Sequence, residues 1–145
     1  MKLEIELVPK TAWFNNLRSF LTKEEWDIVR KKCYKEANHR CEICGSQGDN
    51  WPVECHEIWE YTKARKVKLK GLIALCPDCH EVKHIGLAQI RGRFYPALNH
   101  FMKVNNVSKQ EAIKYVNSCF SLWNERNKVD WKLDVSYLKE YMEKN

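Results

Sequence analysis

The run Leu75-Cys76-Pro77-Asp78-Cys79-His80-Glu81-Val82-Lys83-His84-Ile85-Gly86 constrains this chain more than any other stretch. Its Cys-x-x-Cys spacing suits a tetrahedral zinc, which takes soft thiolates. His80 and His84 follow at i and i+4. On a helix this brings both imidazoles to one face, with Cβ atoms about 5–6 Å apart, close enough to share one metal. Gly86 predicts the stop of that helix. Thiolates at the start of one short helix and imidazoles along its side ask for two metal sites. Other segments must complete both.

The first site finds its partners in Cys41-Glu42-Ile43-Cys44-Gly45, where the glycine lets the backbone turn so that amides face the sulfurs. Cys41, Cys44, Cys76 and Cys79 then form one closed, structural zinc site. Few apolar residues lie between the knuckles, so this zinc is expected to contribute folding energy directly. Cys33, Cys55 and Cys119 remain of the seven cysteines. The N-terminal residues Met1 to Glu6 lack a signal-peptide core, which points to a reducing cytoplasm, with metal and free thiols instead of disulfides. No apolar run approaches the roughly 20 residues that a membrane span needs.

The flanks read as mainly helical. Lys2 to Val8 alternates and predicts a short strand closed by Pro9, and Thr11 to Phe20 is ambiguous. Thr22 and Glu25 form a capping box with Leu21 and Trp26 as its hydrophobic staple. Trp26, Val29, Cys33 and Ala37 give that helix its inward stripe, with an end near Asn38. Ser46 to Pro52 reads as loop. Val53–Trp59 and Lys66–Leu75 are β-like and predict a hairpin with a basic turn. Leu87, Ile90, Phe94, Leu98 and Phe101 form a further helical stripe, which Pro96 must kink or restart. Ser108 and Glu111 predict another capping box, followed by Ala112, Val116, Cys119, Phe120 and Trp123 at helical spacing. Asp134 is placed to cap a last helix bearing Leu138 and Tyr141. At 145 residues the prior is a single domain, 1–145, with a metal core over 41–86 and helical flanks over 11–40 and 87–145.

The second site centres on His56, His80 and His84. His39 and His100 have no such company and read as structural. Cys41-x-x-Cys44, then Cys55-His56, then Leu75-Cys76-x-x-Cys79-His80-x-x-Lys83-His84, resemble an HNH endonuclease of the cysteine-bearing kind over about a third of the chain, Cys41 to Gly86. The resemblance implies an α+β fold: a small ββα-metal, treble-clef-like zinc core with a β-hairpin. It implies His56 as the general base that activates water for attack on phosphorus. It implies His80 and His84 as ligands of a second, catalytic divalent metal that stabilises the phosphate and the leaving 3′ oxygen. That metal would be Mg²⁺, Mn²⁺, Ni²⁺ or Zn²⁺. Two positions depart from the family pattern. Gly71 stands where an asparagine orients the hairpin and base. Cys55 stands where an acid or histidine ligand is usual, and as a soft ligand it would favour zinc or nickel. Neighbouring strand residues point to opposite faces, so Cys55 and His56 can share one site only if the strand ends or bulges there.

The net charge of +6 is modest, but it is concentrated. Lys63, Arg65, Lys66, Lys68 and Lys70 crowd the expected hairpin turn, and Lys83 to Lys103 contains no acid. Lys63, Arg65, Lys66, Lys68, Lys83, Arg91 and Arg93 are the expected contacts to a nucleic-acid backbone, double-stranded DNA in the family. A single site cuts one strand at a time unless two chains pair as a homodimer. Two other readings compete. One is a non-catalytic, zinc-containing nucleic-acid-binding module. The other is a zinc nucleobase deaminase with Cys55, Cys76 and Cys79 on the metal and Glu57 as proton shuttle.

Overall fold

The computed structural model describes residues 1–12, 17–47 and 52–143. The elements run α1 (Leu17–Phe20), α2 (Lys23–Glu36), β1 (Glu54–Tyr61), β2 (Lys66–Leu75), α3 (Pro77–Lys83), α4 (Ile85–Ile90), α5 (Phe94–Asn105), α6 (Lys109–Arg126), β3 (Lys132–Asp134) and α7 (Ser136–Glu143), with a 3₁₀ turn at Lys10–Ala12. The fold is α+β: a β-hairpin extended to a three-stranded mixed sheet, with helices around it. No helix among the described residues is long and apolar enough to cross a membrane.

The hairpin is the frame. β1 and β2 pair antiparallel from Glu54↔Leu75 to Tyr61↔Val67. Residues 62–65 close it, with Arg65 in the left-handed region at φ 61° and the Thr62 hydroxyl accepting from the Lys66 amide at 3.2 Å. Register slips once. Ile58 pairs Gly71 but Trp59 pairs Leu69, which leaves Lys70 as an extra residue in β2. A bulge of this kind switches the parity of the strand. Val67 and Leu69 are buried below it and Ala74 above it, so one face of β2 stays inward along its length. Gly71 adjoins the bulge, where a Cβ would lie 3.7 Å from Ile58 Cδ1, an ordinary contact.

On one side of the hairpin lies α2. Its capping box is complete: the Thr22 hydroxyl accepts from the Glu25 amide at 3.1 Å, and the Glu25 carboxylate accepts from the Thr22 amide at 3.0 Å. Such a cap is worth about 1 kcal/mol. Val29 joins Leu17, Leu69, Leu138 and Tyr141 in one apolar cluster. A larger cluster joins Leu3 and Ile5 to Val82, Ile85, Leu98, Phe101 and Val116. Phe101 is fully buried and stacks on Tyr115 with centroids 5.3 Å apart. Each large side chain so buried contributes about 1.5–3 kcal/mol.

Several expectations are corrected. Residues 2–8 are not a strand. They cross the helices without strand pairing, because their amides find other acceptors: Leu3 N donates to Asn105 Oδ1 (2.9 Å), Ile5 N to Tyr115 Oη (3.2 Å) and Glu6 N to the Lys83 carbonyl (3.1 Å). Gly86 does not stop the histidine helix. α3 ends at Lys83, His84 turns the corner with φ −109° and ψ 46°, and Gly86 lies inside α4. Leu87 and Ile90 do not join the inward stripe. Ile85 and Ala88 are buried instead, because α4 restarts with its own phase. The box at α6 is partial: Ser108 Oγ accepts from the Glu111 amide, while Glu111 receives the serine hydroxyl. β3, which pairs parallel to the start of β2, has no signal in the sequence, since three residues carry no periodicity. Asp134 does serve α7, accepting from the amide and hydroxyl of Ser136. Trp13, Phe14 and residues 48–51 of the expected loop lie outside the described residues.

Candidate metal centres

The end of β2 runs straight into α3, and that junction builds both sites. Cys76 is the N-cap of α3, its sulfur accepting from the Cys79 amide at 3.4 Å, and Pro77 takes the first helical position, where no amide is needed. The first knuckle copies this turn: the Cys44 amide donates to Cys41 Sγ at 3.5 Å, with Gly45 at φ 79°. Glu42 fastens the knuckle to the sheet. Its amide donates to the Ala74 carbonyl at 2.9 Å, and its carboxylate accepts from the Ala74 amide at 2.7 Å.

The four sulfurs of Cys41, Cys44, Cys76 and Cys79 lie within 4.8 Å of one another. Cys44 and Cys76 are 3.6 Å apart. A zinc tetrahedron with bonds of about 2.3 Å has edges of about 3.8 Å, so the thiolates fit zinc. Without a cation these sulfurs share little negative charge. Hydrogen bonds from Cys76 and Cys79 lower the pKa of Cys41, and the same bonds to Cys41 raise theirs. A dication relieves that conflict. His100 on α5, read from sequence as structural, completes the surroundings with Nε2 3.2 Å from Cys79 Sγ.

The second group is His56 on β1 with His80 and His84 on and after α3. Their nitrogens also approach within 4.8 Å, and the ring centroids are 5.1, 5.1 and 4.9 Å apart. His56 is buried, and the other two are half-buried. Burial, with His56 and His80 beside it, pushes the His84 pKa down to about 4. Neutral imidazoles are what a metal takes.

Two carboxylates outside the sequence motifs orient these rings. Glu54 Oε2 lies 3.1 Å from His80 Nδ1. Period-two spacing from His56 on β1 could have found it. Glu6 Oε2 lies 3.1 Å from His56 Nε2, and Glu6 Oε1 lies 3.2 Å from Lys83 Nζ. Burial raises the Glu6 pKa, but His56 and Lys83 outweigh it and hold the carboxyl below its ordinary value. Glu6 is therefore ionised and must accept, so His56 carries its proton on Nε2 and keeps the Nδ1 lone pair. Where the Glu54 carboxylate accepts from His80 Nδ1, Nε2 of that ring is left free. Carboxylates behind imidazoles in this way fix tautomer and raise basicity. Nothing in the sequence pairs Glu6 with a residue fifty positions away.

Cys55 does not join the histidines. β1 is regular there, so Cys55 turns to the opposite face, buried against Cys33 of α2. That thiol and burial push its own pKa up. This also undoes the deaminase alternative, because Cys76 and Cys79 are gathered with Cys41 and Cys44, away from Cys55. Lys83 is corrected as well: it is 6 % exposed and paired with Glu6, so it cannot reach a phosphate. Lys63, Arg65, Lys66, Lys68, Arg91 and Arg93 are exposed. Arg93 makes a two-point pair with Glu81 at 2.6 and 3.1 Å. Arg91 lines a cavity of about 260 Å³ together with His80, His84 and Glu54. The hairpin turn is six residues along β1 from His56, about 20 Å away.

The chain matches no protein-family model, no curated protein and no solved structure.

Proposed function

We propose that this chain is a metal-dependent endonuclease that hydrolyses DNA phosphodiester bonds in the manner of the HNH family. The observation that carries the reading is the three-histidine group where the hairpin meets α3, beside the four-cysteine cluster. His80 and His84 would hold a divalent metal, which when bound stabilises charge on the phosphate and on the leaving 3′ oxygen. Imidazole donors suit zinc or nickel better than magnesium, which prefers oxygen.

His56 is the general base. Glu6 fixes its Nε2 proton and leaves the Nδ1 lone pair to take a proton from water as that water attacks phosphorus. Burial of His56 and of Lys83, with Glu6 bonded to both, keeps this ring from wandering. Glu6 takes the orienting role that the asparagine replaced by Gly71 plays in the family. Arg91, on the wall of the cavity at His80 and His84, pairs with a phosphate oxygen there.

The closeness of His56 to the other two rings favours one further reading, a metal held by all three imidazoles. The test separates them. Purified protein is incubated with supercoiled plasmid across Mg²⁺, Mn²⁺, Ni²⁺ and Zn²⁺, beside His56→Ala, with bound metal counted in both. A base gives full metal occupancy and cutting lowered by roughly 10²–10⁴-fold. A ligand gives loss of the metal. Undiminished cutting by His56→Ala, with contaminating nuclease excluded, ends the assignment.

A further inference from the structure

Next to the histidines a second concavity opens, with a volume of about 700 Å³, sharing His84 and Leu87 with the cavity that Arg91 lines. That lies within the roughly 300–1,000 Å³ of sites for small organic groups. Leu7, Val8, Leu87, Ile90, Phe120 and Trp123 make it mainly apolar. His84 and Glu6 belong to its wall, so it is continuous with the histidine site.

Three details suggest an aromatic guest. Leu87 and Ile90, which α4 turns away from the core, are 45 % and 83 % exposed on the groove. Gly86 also lines the groove. Its backbone is not left-handed, and a Cβ there would meet Leu7 at 3.5 Å and Phe120 at 3.9 Å, ordinary contacts. Neither conformation nor collision calls for glycine inside this helix, where it is a weaker former than alanine. What the missing methyl leaves is room. The walls, finally, are rigid aromatics. The Trp123 indole donates to the Val8 carbonyl at 3.0 Å and stands at 84° to Phe120. Lys10 Nζ lies 5.3 Å from the Trp123 ring, and Gln89 adds an amide.

We propose that this groove receives an unpaired nucleobase adjoining the phosphate held at the histidines. The preferred substrate then carries an unpaired nucleotide at the cut, single-stranded or turned out of a duplex. Phe120, Trp123 and Ile90 contact the base face, Gln89 its edge, and Lys10 the neighbouring phosphate. This rests on the phosphodiester reading above, which by itself names no strand form.

The test measures binding apart from cutting. Zinc-loaded full-length protein, in buffer without added divalent metal, is titrated against three labelled DNAs of one length: a single strand, its duplex, and the same strand with abasic sites. Stacking on protein aromatics is worth about 5–150-fold per base, so the normal strand should bind at least fivefold tighter than the abasic one and tighter than the duplex. Gly86→Ala should erase much of that preference while leaving the protein as stable or more so. Ile90→Ser, at an exposed position, should reduce it too. Trp123→Ala should abolish it, and the other two variants carry the test if that one misfolds. Equal affinity for normal and abasic strands, or a preference untouched by Gly86→Ala and Ile90→Ser, overturns the proposal. Plasmid cutting is read separately. Cutting without base preference sinks the groove and leaves the nuclease standing. Base preference without cutting upholds the groove and removes the nuclease.

Discussion

Glu6 reaches His56 across fifty residues of sequence, Oε2 to Nε2 at 3.1 Å, and holds Lys83 with its other oxygen. One carboxylate thus ties the N-terminal segment to the hairpin and to the end of α3. It also keeps a 6 % exposed ammonium compensated. Glu6→Gln retains the shape but removes the charge from both partners. Because the carboxylate is 27 % exposed, the stability loss should fall below the 3–5 kcal/mol of a broken, fully buried pair, at about 1–3 kcal/mol. Loss of an orienting partner should lower cutting or metal affinity by about 10–100-fold. Urea unfolding and metal titration of the one variant measure the two effects. An unchanged unfolding midpoint would show that Lys83 finds another partner.

The four-cysteine group should be required for folding. Removing its zinc with a strong chelator, or replacing Cys76 with serine, should cost the native fold and not merely activity, because Cys76 would serve as a zinc ligand and is also the N-cap of α3. His100→Ala is the finer probe. The ring sits 3.2 Å from Cys79 Sγ, so its loss should weaken zinc retention by roughly 10–100-fold while leaving the cysteines in place. Competition with a colorimetric zinc chelator reads this directly. Native protein isolated without tightly held zinc would contradict the whole assignment.

Much of this is legible in the sequence, for a physical reason. Cys-x-x-Cys, His-x-x-x-His and the β-like content of the two hairpin strands are local patterns, and each is read within one short segment. The Thr22–Glu25 box is local in the same way and forms as expected. What escapes is non-local. Glu6 and His100 act on residues far away in the chain, and no periodicity announces that. Residues 2–8 alternate like a strand, yet their amides are met by Asn105, Tyr115 and the Lys83 carbonyl, so tertiary contacts override the pattern. Lys83 reads as part of a basic face because charge runs say nothing of burial. Gly86 reads as a stop because glycine so often is one, but here the chain turns at His84.

Cys55 offers a clean check on strand geometry. Facing Cys33 and away from the histidines, it should not influence the second metal. Cys55→Ala should leave metal stoichiometry and preference unchanged and cost about 1–2 kcal/mol, the scale of losing a small buried side chain. Cys55→Asp would bury an unpaired carboxylate and should destabilise the protein more severely. Metal analysis of Cys55→Ala decides the matter, since a changed preference would place the sulfur among the ligands after all.

The basic residues divide into two groups by position, and the division predicts two kinds of loss. Lys63, Arg65 and Lys66 are exposed at the hairpin turn, about 20 Å from His56 along β1, which is roughly six base-pair steps at 3.4 Å each. Lys68, opposite Glu60, is exposed about 13 Å from His56. Arg91 lines the cavity at His80 and His84. If a duplex lies along the hairpin, neutralising the turn frees phosphates remote from the chemistry. Affinity should then fall for every sequence alike, and the slope of log affinity against log salt should flatten by about 0.9 for each phosphate no longer neutralised. On the proposed nuclease reading, Arg91→Ala should change that slope by only about one unit but should lower the cutting rate at saturating DNA as well, because Arg91 lines the cavity where the phosphate would react. Binding isotherms from 50 to roughly 200 mM salt, paired with single-turnover cutting, distinguish the two. An unchanged slope after neutralising all four turn residues would mean that they are a solvated face, and that the nucleic acid approaches the histidines from another direction.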